Sequence, residues 1–333
     1  MNTQDKIEGG AYPFYVRSST IERANKYTYD GIAILTPGDG AIGKVFHYSE
    51  GKIAVHQRVY ILSDITIGTK YLFYYFSDKF YNRVMRLSAK NTVDSVRMNM
   101  ITDMPISLPS LAEQEKIAGF LSLIDERIQL CSETIKERKR EKAALLNQLF
   151  SQKLRFPQFS DEWQQTMLGE IAEILNSRRK PITSSDRVRG DYPYYGASGI
   201  IDYVNEYIFD EQLLLIGEDG AKWGKYEKTA FIVNGRCWVN NHAHVLRFQN
   251  YPTYKLIEAF FFSLNLKPFV TGDAPPKLTL ENLKSILIHF PSLAEQKKIA
   301  DFLSLIDERI EAEEELLEQY ERQKRYLLKQ MFI

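Results

Sequence analysis

The stretch PSLAEQEKIAGFLSLIDERI, residues 109–128, returns as PSLAEQKKIADFLSLIDERI at residues 291–310, and only positions 115 and 119 differ from 297 and 301. A shift of 182 residues is far longer than the roughly 20–50 residues of a solenoid repeat, so the repeating unit is a whole domain followed by a helix. Both copies open with a helix signal. Ser110 and Ser292 each follow a proline and stand three residues before Glu113 and Glu295. That is the spacing of a capping box, in which the hydroxyl accepts from a free backbone N–H and the glutamate returns to the cap's own N–H. Downstream, Ile117, Leu121, Ile124 and Ile128, then Cys131 and Ile135, alternate steps of four and three; Ile299, Leu303, Ile306 and Ile310 repeat the frame. Arg138, Lys142, Glu313 and Lys324 interrupt the same seam with polar side chains, the pattern of a coiled coil of restricted register. About 40 residues at ~1.5 Å each make a helix of roughly 60 Å.

Upstream of each helix the echo is weaker and the shift nearly the same. Tyr12-Pro13-Phe14-Tyr15 matches Tyr192-Pro193-Tyr194-Tyr195, and Asp39-Gly40-Ala41 with Gly43-Lys44 matches Asp219-Gly220-Ala221 with Gly224-Lys225. The helices have stayed nearly identical while the globular parts diverged, as expected if the helices keep one job and the globular parts recognise different things. Short runs such as Gly31–Leu35 and Leu213–Ile216, each followed by a glycine-rich turn, read as strands. The aromatic stretches 69–87 and 253–266 have helical spacing. The expected architecture is α+β: two mixed, mainly β domains, residues 1–108 and 151–290, separated by two long antiparallel helices, residues 109–150 and 291–333, that form a coiled coil.

Several stretches resemble catalytic motifs and fail on chemistry. Gly38–Val45 has P-loop spacing, but Val45 stands where a hydroxyl must reach Mg²⁺, and the second copy breaks the spacing; a glycine turn between strands accounts for it. Asp273-Ala274-Pro275-Pro276-Lys277 has an inserted alanine and no aromatic after its prolines, and no GxGxxG follows a strand, so a methyl-donor site is not expected. His47, His56, His242, His244 and His289 lack metal-ligand spacing. Cys131 and Cys237 form no CxxC pair and read as packing positions.

Lys and Arg together number 43 and so do Asp and Glu, which is not the footprint of a freestanding nucleic-acid binder. The balance is uneven, however: residues 1–108 carry 13 basic and 10 acidic side chains, residues 291–333 carry 7 and 10. No apolar run approaches the ~20 residues of a membrane span, and the first residues lack the pattern of an export signal, so a cytoplasmic location is expected.

A domain, a Pro-Ser-Leu-Ala-Glu-Gln helix with Ile-Asp-Glu-Arg-Ile in its third turn, a second domain and the same helix again together resemble the specificity subunit of type I restriction-modification systems. The resemblance covers nearly the whole chain. It implies a non-catalytic protein with two target-recognition domains, each reading one half of a split site in double-stranded DNA. It implies helices that set the spacing of the half-sites and dock two methyltransferase subunits, with motor-nuclease subunits joining them. S-adenosylmethionine, ATP and Mg²⁺ would belong to those partners, and this chain would hold no cofactor and no metal. The second unit begins with Trp163–Ile171, which looks like the family's domain opening. By the repeat shift residue 11 aligns with residue 191, so the first domain is expected to be shortened at its N-terminus, without a counterpart of about 25 residues, 156–180. An alternative follows: a truncated or silent subunit that serves only as an assembly scaffold.

Base reading requires side chains with paired donors and acceptors in a groove, and phosphate contacts require Lys, Arg or backbone N–H groups on turns. The candidates flank the repeated landmarks: Arg17, Ser18, Lys44, His56, Gln57 and Arg58 in the first domain, and Ser198, Lys222, Lys225, Asn240, Asn241 and His242 in the second. Asn241 suits adenine and Arg58 guanine. Tyr15 and Tyr195 read as core aromatics, and the alternating charges of Lys136–Lys142 as a solvated helix face.

Overall fold

The computed structural model describes residues 1–87, 95–272 and 275–332; Asp273 and Ala274 of the proline-containing stretch singled out above therefore lie outside the described residues. The chain divides into two compact units, Met1–Glu133 with Glu314–Ile333, and Thr134–Glu313, each holding one globular domain with a part of each long helix.

In the first unit, a four-stranded sheet runs in the order Ile21–Ala24, Tyr12–Tyr15, Lys52–Val55, Tyr29–Asp30, and a three-stranded sheet in the order His47–Ser49, Ala33–Pro37, Val59–Leu62. The strand Ala33–Pro37 is buried along its whole length, as an apolar run between two neighbours must be. The aromatic stretch forms the helix Thr69–Leu87. One side of that helix, with Phe76 and Phe80 stacked at 4.4 Å, closes a core with Ile34, Val96 and Met100.

The second unit repeats the plan with additions. One sheet runs Gly199–Val204, Arg189–Gly196, Arg236–Val239, Phe209–Asp210; another runs Ala230–Val233, Leu213–Gly217, Ala243–Arg247, Glu173–Ile174; and Leu287–Phe290 pairs with Gln164–Met167. The helix Tyr251–Ser263 starts at Asn250, whose side chain accepts from the Thr253 amide. In both domains two strands that are far apart in sequence run parallel, Tyr15 beside Val55 and Tyr195 beside Val239.

The long helices span Leu111–Phe150 and Leu293–Met331. The Ser110 and Ser292 hydroxyls accept from the Glu113 and Glu295 amides at 3.3 and 3.4 Å. The second glutamate departs from the capping box: its buried carboxylate turns away to accept from the Arg155 guanidinium at 3.1 and 2.8 Å and from Trp163 Nε1 at 3.1 Å. A charge-assisted pair of bonds from a guanidinium outweighs a single bond to an amide. The frame read from the sequence tracks burial: Leu121, Ile124, Ile299, Leu303 and Ile310 are buried, Ile117, Ile128 and Ile306 half-buried. In the first unit Ile117, Ala118 and Leu121 pack with Leu327, Leu328 and Met331; in the second, Leu146 and Leu149 pack with Ile299 and Leu303. Complete burial of a leucine such as Leu121 contributes about 1.5–3 kcal/mol.

Polar residues of the repeat fix each helix twice over. Gln114 accepts from the Gly68 amide at 2.9 Å and donates to the Pro109 carbonyl at 2.8 Å. Gln296, at the equivalent position, accepts from the Thr253 hydroxyl at 2.9 Å and donates to the Pro291 carbonyl at 2.8 Å. Each glutamine thus ties the start of its long helix to the start of the aromatic helix of its own domain. About three turns further on, Asp125 accepts from Lys324 at 2.5 Å and from the Tyr74 hydroxyl at 2.8 Å. Asp307 pairs with Lys142 and, at 2.7 Å, with Lys255. Burial alone would raise the Asp307 carboxyl; the two lysines outweigh it and hold its pKa below the ordinary carboxylate value. Among the described residues, no helix is long and apolar enough to cross a membrane.

Candidate nucleic-acid interface

The parallel pair in each domain delivers a turn to the same place. In the first, the His56 amide donates to the Tyr15 carbonyl at 2.9 Å, and the Arg58 carbonyl accepts from the Gly38 amide at 2.7 Å. The turn His56-Gln57-Arg58 is therefore held against the glycine-rich turn that follows Ala33–Pro37, where Gly40 and Gly43 take positive φ values of 75° and 64°. His56 is buried and its Nδ1 accepts from the Arg58 amide at 3.1 Å. Burial, then the charges of Arg17 and the N-terminal ammonium, push the His56 pKa down against the pull of Asp39, which keeps that nitrogen free to accept. Asp39 holds Arg17 at 3.3 Å and Arg58 at 3.2 Å, with both guanidiniums largely exposed. Arg17, Asp39, His56, Gln57 and Arg58, with Asn2–Gln4, line an open cleft of about 410 Å³. One carboxylate between two arginines leaves the cleft cationic, and Gln57 stands exposed on its wall. Ser18 and Lys44 do not line it: the Ser18 carbonyl meets His47 Nε2 at 3.3 Å, and Lys44 lies over the Tyr81 ring at 5.3 Å.

The second domain builds the same arrangement from different residues. The Asn240 amide donates to the Tyr195 carbonyl at 3.0 Å, the His242 carbonyl accepts from the Glu218 amide at 2.8 Å, Asn240 Oδ1 accepts from the His242 amide at 2.8 Å, and His242 Nδ1 meets Asp219 at 2.5 Å. Asn240, Asn241, His242 and Asp219 thus take the places of His56, Gln57, Arg58 and Asp39. The side chains of His56 and Asn240 are buried and hold the turn. Asn241 and His242 are exposed, as are Ser198, on the turn joining Arg189–Gly196 to Gly199–Val204, and Lys222 and Lys225, on the loop after Gly217.

Behind Asn241 lies a network that the repeat did not disclose, because Glu218 stands where the first copy has Gly38. The buried Glu218 carboxylate accepts from Arg179 at 2.5 Å and Lys277 at 2.7 Å. Arg179 also donates to the Asn241 and Ala243 carbonyls at 3.3 and 2.8 Å. Burial would raise the Glu218 carboxyl, but the bonds from Arg179 and Lys277 and the neighbouring positive charge hold its pKa down. His244, fully buried, is pushed down chiefly by desolvation; its Nε2 faces the Leu278 carbonyl at 2.8 Å and its Nδ1 the Asn176 amide nitrogen at 2.9 Å, so the neutral ring carries its proton on Nε2. His242, by contrast, is exposed. Both cysteines are buried thiols. Among the described residues, no group of His, Cys, Asp and Glu is placed to hold a metal ion.

The family model described as the Type I restriction modification DNA specificity domain matches residues 1–139 and 160–322. A Haemophilus influenzae protein provisionally named a type I restriction enzyme specificity subunit is 37% identical over 145 residues, covering 44% of this chain and 37% of its own length. The specificity subunit of the type I restriction enzyme EcoDI of Escherichia coli is 28% identical over 120 residues, 36% of this chain and 26% of its own. The chain's match thus spans about a third or less of the length of these two relatives. A crystal structure of a type I restriction-modification system S subunit from M. genitalium superposes with a TM-score of 0.67 at 18% identity, covering 100% of this chain and 91% of that one, and so shares the fold.

Proposed function

Because the chain belongs to the type I restriction modification DNA specificity family, we propose that it is the non-catalytic DNA-reading subunit of a methyltransferase and endonuclease complex. Each domain reads one half of a split site in double-stranded DNA through its repeated turn. Gln57 and Asn241 offer a carboxamide with adjacent donor and acceptor, the pair that suits adenine, while Arg17, Arg58, His242, Lys222 and Lys225 contact phosphate or guanine. Ser18, Lys44 and Ser198 lie farther along the same loops and act on the backbone of the duplex. The carrying observation is the reconstruction of one hydrogen-bonded turn, braced by Asp39 or Asp219, from unlike residues in two domains that are each followed by a helix with a nearly identical first half.

The paired helices close as an antiparallel coiled coil that sets the spacing of the half-sites and docks two methyltransferase subunits, to which motor-nuclease subunits attach. Those partners supply S-adenosylmethionine, ATP and Mg²⁺ chemistry and much of the phosphate neutralisation that a chain of zero net charge cannot. The complex works in the cytoplasm. The test is co-purification with the cognate methyltransferase subunit followed by mapping of methylated bases across a genome. A split motif with a fixed spacer is the expected result. A stable complex that methylates no motif would reduce the chain to a scaffold, and no complex at all would overturn the assignment.

A further inference from the structure

Beneath the exposed Asn241 and His242, the turn of the second domain is held from inside by charge. Glu218 stands at the centre of the arrangement. Its backbone amide donates to the His242 carbonyl and its carbonyl accepts from the Leu278 amide, both at 2.8 Å. Its buried carboxylate meets Arg179 through Oε2 and Lys277 through Oε1, while the next carboxylate, that of Asp219, meets the exposed His242 instead. In the first domain Gly38, whose amide likewise donates to the Arg58 carbonyl, occupies the place of Glu218 and has no side chain to offer. That turn is braced by Asp39 through Arg17 and Arg58.

Arg179 carries this charge to the turn. Its guanidinium, 14% exposed, directs Nη1 at Glu218 and at the Asn241 and Ala243 carbonyls, and its Nε donates to the Asn176 carbonyl at 3.1 Å. Asn176 is fixed in turn, because its Oδ1 accepts from the Val245 amide at 2.9 Å. Lys277 ends the proline-containing stretch: Pro275 and Pro276 lead into it, and its amide and carbonyl pair with those of Thr271 at 2.8 and 2.9 Å. A buried carboxylate is tolerated when it is paired and its lone pairs are satisfied. Pairing Glu218 draws three segments that are distant in sequence, around 179, 218 and 277, onto the backbone that carries Asn241.

We propose that Arg179, locked by Glu218 and Lys277, is a positioning residue for base selection by the second domain: it fixes the backbone carbonyl of Asn241, and with it the direction in which the Asn241 carboxamide meets a base. The inference rests on the DNA-reading assignment of that turn. A carboxamide selects adenine when its donor and acceptor reach the base edge together, and a selecting side chain keeps that geometry through the groups packed behind it. Lysine in place of Arg179 would keep a positive charge opposite Glu218. It would lose the planar guanidinium that holds the carboxylate, two carbonyls of the turn and the Asn176 carbonyl at once.

The test places Arg179→Lys, Asn241→Ala and the double variant in the complex with the cognate methyltransferase subunit and maps methylated sites, with backbone exchange of the free chain followed by mass spectrometry. Arg179→Lys is expected to speed exchange at residues 241–245, to lower discrimination at the base read by Asn241 by about five-fold or more, and to leave the preference at the other half-site as it was. The double variant should be no less selective than Asn241→Ala, because Arg179 acts through Asn241. Full selectivity in Arg179→Lys beside relaxed selectivity in Asn241→Ala would overturn the inference alone, as would additive losses or equal losses at both half-sites. An Asn241→Ala complex with an unchanged motif would overturn the reading of the turn and the inference with it. If Arg179→Lys does not fold, Lys277→Gln, whose side chain is 46% exposed, decides: relaxation at the same base supports the inference and an unchanged motif overturns it.

Discussion

Gln57 and Arg58 are neighbours on one turn, yet their substitution has different consequences. A carboxamide that pairs with one base carries selectivity, so Gln57→Ala should relax preference at one position of one half-site by about 1–3 kcal/mol, read as altered methylation at that base, and Asn241→Ala should do so in the other half-site. An arginine brings charge besides its pairing with guanine, so Arg58→Ala should weaken binding to every sequence and reduce the salt slope by about one counterion, on top of the preference lost at a guanine. His56 adds a dependence on pH that Asn240 does not. The folded pKa of His56 lies below its ordinary value of 6.5, so below that pH the unfolded chain binds the proton more readily than the folded one. The stability is complete above about 6.5 and is lost as pH falls from there to the folded value. His56→Asn keeps the acceptor that Arg58 needs, as Asn240 does for His242, and should lessen the loss of first-domain exchange protection between pH 7.5 and 5. The part due to the half-buried His47, whose pKa desolvation also lowers, should remain.

The ion pairs along the two long helices are not equal. Asp307 and its partners Lys142 and Lys255 have side chains 20%, 19% and 11% exposed, against 34% and 27% for Asp125 and Lys324. Removing one member of a mostly buried group leaves charges unpaired in a poor solvent, whereas an exposed pair contributes little. Asp307→Ala should therefore cost roughly 2–3 kcal/mol and Asp125→Ala about 1 kcal/mol or less, measured as denaturation midpoints followed separately in the two units. These elements also show how far a sequence can be read. The heptad frame was legible along both helices because burial repeats where the seam repeats, and the strands around Leu35 and Leu215 were legible because apolar runs meet glycine turns. The role of Gln114 and Gln296 was hidden: a polar residue repeated inside a helix start looks like solvent surface, and only folding brings Gly68 or Thr253 beside it. Four of the six first-domain candidates line one cleft because the parallel pairing of Tyr15 with Val55 joins distant turns. The contact of Arg179 with Glu218 was not legible, since the first copy has neither residue.

For the molecule as a whole, the proposed function makes the length of the long helices the decisive variable. Adding one heptad to both, at matching places in the seam, should keep the packing and lengthen the unread spacer by about 3 base pairs, since seven residues rise ~10.5 Å and a base pair about 3.4 Å. Methylation mapping of the lengthened subunit in its complex would read this directly. An unchanged spacer would mean that something other than the helices measures the site. Such a variant must add whole heptads because of Gln114 and Gln296. Each glutamine fastens the root of a helix to the domain that precedes it, so neither domain can swivel on its own stem. A single residue inserted in a helix would then turn its domain by about 100°, away from the groove that the proposed function has it face. If the helices space the half-sites as proposed, distance and azimuth would be geared to one another in this way, and only lengths that bring the gear back into mesh would let both halves of the site be read.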